Sequence, residues 1–106
     1  MPKMMVKASY NADGARGILK EGGTGRVASV TKAIEAIGGK VESFYFAYGA
    51  DDAFVIVDVP DEASGLALTL AVNASGTVAC TTVPLITPET MDAACKKTVG
   101  YKAPGA

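Results

Sequence analysis

The strongest constraint on the fold lies between residues 40 and 59. Residues 40–48 and 53–59 are two runs dense in aromatic and β-branched side chains, separated by Gly49-Ala50-Asp51-Asp52. That pattern predicts a β-hairpin. Strict alternation sets Phe44, Phe46 and Tyr48 on one side of the first run and Val41, Tyr45 and Ala47 on the other. In the second run Val55, Val57 and Val59 oppose Phe54 and Ile56, with Asp58 interrupting that second row. An antiparallel sheet with one wet face alternates apolar and polar residues. These strands are expected to be largely apolar on both faces, so one face needs cover from outside the chain.

The remaining elements follow from punctuation. Residues 4–10 read as a short strand, and Asn11-Ala12-Asp13-Gly14 then changes direction and can cap a helix. Residues 15–21 are helix-compatible until Gly22-Gly23-Thr24-Gly25, which must interrupt or kink the helix. Val27, Val30, Ile34 and Ile37 then recur at helical spacing, and Gly38-Gly39 ends the segment. Asp61 caps a helix that runs to about residue 74. From Ala63 to Ser75 it carries no charged residue, whereas a surface helix normally keeps a solvated face. A strand over 77–83 is expected to close at Pro84. Thr87-Pro88-Glu89 then opens a short last helix, and the tail from Val99 is expected to be extended.

The order β-α-β-β-α-β plus a terminal helix predicts an α+β fold: one ferredoxin-like domain over residues 1–106, with both main helices on one sheet face. The apolar outer sheet face and the uncharged helix together predict a homodimer built by face-to-face packing of two sheets across a twofold axis. Higher assembly through the helices is a further option.

Charge and residue absences narrow the function. Ten basic and eleven acidic residues are intermixed, giving a net charge of −1 and no basic stripe for nucleic acid or a membrane surface. No run of about 20 apolar residues is present. The first residues lack the apolar stretch and small-residue cleavage site of a secretion signal, so a cytoplasmic location is expected. The chain has no histidine, which removes the commonest general base and the commonest metal ligand. No metal and no cofactor are expected. Cys80 and Cys95 form no CxxC pair and read as small buried thiols or as reactive ones. Gly23-Thr24-Gly25-Arg26-Val27-Ala28 has the form G-x-G-x-x-A, but it lacks the preceding strand and parallel sheet of a dinucleotide site.

A longer pattern runs the length of the chain. Its parts are Ala8-Ser9-Tyr10 with Gly14 and Gly17, Leu19-Lys20-Glu21-Gly22-Gly23, Arg26, and Gly38-Gly39-Lys40. It continues through Phe44-Tyr45-Phe46-Ala47-Tyr48-Gly49, Val55-Ile56-Val57-Asp58, Asn73-Ala74-Ser75-Gly76 and Leu85-Ile86-Thr87-Pro88-Glu89. In these residues the sequence resembles the GYD family, although the hairpin turn carries Asp51 where many relatives place a tyrosine. The resemblance implies a dimeric α/β barrel and no established activity. The wider barrel group includes cofactor-independent monooxygenases, muconolactone-isomerase-like enzymes, haem-degrading enzymes and small-ligand regulators, and fold alone does not choose among them.

Such barrels usually hold a cavity between the sheet and the irregular first helix. Tyr10, Arg16, Arg26, Tyr45 and Tyr48 are the candidate ligand-binding residues. Tyrosines give apolar walls with polar tips, and an arginine binds a carboxylate or enolate oxygen. The same tyrosines also suit a core or dimer interface, and the arginines surface ion pairs. Three functions follow: a small-molecule binder, a cofactor-independent monooxygenase or isomerase acting on a small aromatic or carboxylate compound, or a structural assembly module.

Overall fold

Seven elements appear in the expected order in the computed structural model, which describes residues 2–106. They are β1 (Lys3–Tyr10), α1 (Ala12–Ala36), β2 (Lys40–Phe46), β3 (Ala53–Asp58), α2 (Glu62–Ala74), β4 (Val78–Leu85) and α3 (Pro88–Cys95). The strands form one antiparallel sheet in the order β2-β3-β1-β4.

Local chemistry accounts for the helix boundaries. The Asn11, Asp61 and Thr87 side chains accept hydrogen bonds from the third backbone N–H beyond each, those of Gly14, Ser64 and Thr90. Each satisfies an orphan donor of a first turn. The glycine-rich break inside α1 resolves to Gly22 alone, at φ 77° and ψ 169°, a conformation that favours glycine. Residues 23–28 continue as helix, so the G-x-G-x-x-A run is no strand-to-helix phosphate loop.

One sheet face and the two long helices make the core. Met4, Val6, Val55, Val57 and Val59 pack with the buried Ile34 of α1, joined by Val30 and by Leu68 of α2. Ala8, Ala53 and Val78 form a second cluster, at the end of the sheet that holds Tyr10.

Three details differ from strict alternation. A register shift between Val41 and Ser43 turns Val41 toward the core beside Phe44, whereas simple alternation placed it with Tyr45. Pro84 does not end the last strand. It lies inside β4, which is an edge strand and tolerates a missing N–H. Tyr48 lies beyond β2, in the connection to β3.

The shift also changes the opposite sheet face. Cross-strand partners there run Val83-Met5-Ile56-Ser43 and Thr81-Lys7-Phe54-Tyr45. At one end Lys3 bonds both Glu42 and Asp58, and those hydrogen bonds, Glu42 first, raise its pKa. The face is therefore mixed, with an apolar centre at Met5, Phe54, Ile56 and Val83 rather than an apolar surface throughout.

α2 shows the uncharged outer side expected of it. Ala63, Leu66, Ala67, Leu70, Ala71 and Ala74 are all exposed, Leu66 at 58% and Leu70 at 60%. Among the described residues no helix is long and apolar enough to cross a membrane.

Candidate functional site

Tyr10 is the last residue of β1, and three segments fix it. Its N–H donates to Asp52 Oδ2 at 2.8 Å, while the Asp52 N–H donates to the Ala8 carbonyl at 2.8 Å. The turn before β3 is thereby tied to the end of β1. Asn11 follows, and its N–H donates to the Thr77 carbonyl at 3.1 Å. Gly14 packs so closely on the same segment that a Cβ there would lie 2.3 Å from the Thr77 oxygen. The ends of β1, α1 and β4 are thus drawn together around the tyrosine.

Arg26 arrives from the other side of the kink. Between the sheet and the two long helices lies an inner cavity of about 50 Å³, walled by Val30, Ile34, Phe44, Leu68 and Val72 among others. Tyr10 and Arg26 are its only titratable lining residues. Both also line an outer cavity of about 180 Å³, together with Asp13, Glu21 and Thr77. An apolar chamber and a polar vestibule therefore meet at one phenol and one guanidinium.

The guanidinium is the electrostatic feature of this junction. Among the described residues, Arg26 Nε is the one buried side-chain nitrogen or oxygen without a hydrogen-bond partner. Arginine stays charged at any relevant pH, and its planar array of N–H donors matches a carboxylate. Leaving such a donor unpaired costs about 1–3 kcal/mol. A ligand oxygen at this point would remove that cost.

The other three candidates lie elsewhere in the protomer. Arg16 is exposed and pairs with Asp13 one helical turn away. Tyr45 is exposed beside Phe54 on the open sheet face. Tyr48 is fully exposed at 103%. Two of the five predicted residues therefore converge. Asp52, from the turn between the two hairpin strands, is a positioning residue for Tyr10. Glu21 and Gly14 complete the vestibule, and only the run of glycines around them hinted at a close approach. Asp51 accepts a long 3.4 Å hydrogen bond from Ser9 Oγ and lies outside both cavities. Neither cysteine lines either cavity: Cys80 is half-buried, with its thiol pKa pushed up by that burial, and Cys95 is exposed. Among the described residues no three His, Cys, Asp or Glu side chains gather as metal ligands.

The GYD domain model matches residues 4–95. The chain belongs to the GYD-domain family. Tyr10, Arg26 and both cavities fall inside the matched region of this GYD domain. A search of curated proteins found no match. Among solved structures, the crystal structure of MtbAldR is similar, with a TM-score of 0.54 and 26% sequence identity. The match covers 81% of this GYD-domain chain and 52% of the other, so the chain spans about half the length of MtbAldR.

Proposed function

We propose that this GYD-domain protein is a homodimeric binder of small monocarboxylates, with Arg26 holding the carboxylate and the inner cavity taking a short apolar tail. The carrying observation is the buried, unpartnered Nε of Arg26 where the apolar chamber meets the polar vestibule. Asp13 and Glu21 line the vestibule as well, so a single negative charge is favoured over a dianion. The inner wall offers Tyr10 as its only group able to give up a proton, which favours binding over proton-transfer chemistry.

The dimer reading rests on the open sheet face, where Met5, Phe54, Ile56 and Val83 form an apolar centre and Tyr45 is 72% exposed. Two such faces packed across a twofold axis make the dimeric α/β barrel. A cytoplasmic location accords with free cysteines, one of them exposed.

Calorimetric titration tests the ligand class. Butyrate is expected to bind, with butyramide and succinate each weaker by at least about tenfold, a difference of about 1.4 kcal/mol. Equal binding of butyrate and butyramide would remove the role given to the guanidinium, and no binding by any of the three would refute the proposed class.

A further inference from the structure

Every residue from Ile86 to Ala106 is exposed. The hydrogen bonds of this arm join only residues within it. The radius of gyration is 16.9 Å and the longest axis 55 Å, where a compact chain of this length would have a radius of about 13 Å. Yet the arm contains α3, a helix of eight residues. Isolated helices shorter than about 12–15 residues are marginal in water and owe their stability to packing. Pro88, Met91, Ala94 and Cys95 follow one another at spacings of three, three and one, so they share one side of α3, with Glu89 turned away from it and Asp92 at its flank next to Pro88. The helix has an apolar side that its own protomer leaves exposed.

A matching surface lies on the same chain. Between α2 and the edge strand β4 runs a groove of about 400 Å³, lined by Met4, Leu66, Thr69, Thr82 and Pro84, with Glu62 at its margin. Asp61 precedes Glu62 and caps the helix. The arm leaves β4 immediately after Leu85, one residue past the groove wall at Pro84.

Charge is divided between the two parts. Residues 96–106 carry Lys96, Lys97 and Lys102 and no acid. With Glu89 and Asp92 counted, the arm from Ile86 carries a net +1, and residues 1–85 hold seven cations and nine carboxylates, a net −2. A basic arm and an acidic body repel their own kind and attract each other. A second copy supplies both halves of that match at once.

We propose that the arm of one protomer seats on a second copy of this chain, with the Met91 side of α3 in the α2–β4 groove and the arm lysines near Asp61 and Glu62. The contact is reciprocal, as an isologous interface requires. It rests on the homo-oligomeric reading above and adds the segment and groove that form a contact separate from the open sheet face.

Carbodiimide coupling of the unmodified protein, mixed from ¹⁴N- and ¹⁵N-labelled preparations, tests this directly. Mixed-isotope links from Lys96, Lys97 or Lys102 to Asp61 or Glu62 are expected. In Met91→Asp, whose altered side chain is exposed in the protomer, those links should fall at least fivefold. A dimeric mass by light scattering with arm links confined to single-isotope pairs, directed elsewhere on the partner, or absent would overturn the arm contact and leave the sheet-face dimer standing. A monomeric mass at the same concentration would overturn both.

Discussion

Arg26→Met removes a guanidinium and keeps an unbranched chain of similar reach. In the unliganded protein Arg26 Nε is buried without a partner, and a donor in that state costs about 1–3 kcal/mol. Arg26 as a whole is only half-buried, so the lower end of that range applies, about 1 kcal/mol. Methionine also extends the apolar lining of the inner cavity. The variant is therefore expected to be about 1 kcal/mol more stable than the parent, which for a domain of this size raises Tm by about 4–8 °C. Urea unfolding at fixed protein concentration measures the change, with the m value expected to stay the same. Stabilisation by added butyrate should disappear in the same variant. A loss of about 1 kcal/mol or more would mean that the guanidinium holds the fold together, and the assignment of its cost to an absent ligand would be refuted.

Other substitutions probe the scaffold around the site. Ile34 is 1% exposed at the centre of the core, and Ile34→Ala is expected to cost about 2–5 kcal/mol in urea unfolding. Gly14→Ala sets a methyl group 2.3 Å from the Thr77 carbonyl oxygen, so α1 or β4 must shift. Calorimetry should show weaker butyrate binding even if the variant stays folded. Hydrogen bonds from the Ser64 backbone and side chain, the backbone one first, hold the Asp61 carboxyl below the ordinary carboxylate range. Its folded pKa therefore lies below the unfolded one, so its contribution is complete above the unfolded value and fades as pH falls through the folded one. Asp61→Asn should flatten the loss of stability between about pH 5 and pH 2, measured by thermal melts.

What the sequence revealed was mostly local. The caps at Asn11, Asp61 and Thr87, the break at Gly22 and the hairpin depend on neighbours a few residues away, and each was legible. Val41 was assigned to the wrong face because a bulge is set by the pairing of β2 with β3, and alternation along one strand does not reveal it. Pro84 read as a strand end because edge position is a property of sheet order. Arg16 and Arg26 stand on opposite sides of the kink, so helical phase does not carry from one to the other. The first ended on the surface and the second under the helix. Asp52 meets Tyr10 across a separation of forty-two residues, which no local pattern encodes.

The chain contains two arginines, Arg16 and Arg26, so its ¹H–¹⁵N spectrum holds two side-chain Nε–Hε signals, which Arg26→Met assigns. Carboxylate capture at the buried guanidinium predicts that the Arg26 signal exchanges slowly with water and shifts on titration with butyrate, while the Arg16 signal stays in place. Two signals that stay fixed at saturating butyrate, or that move together, would contradict it.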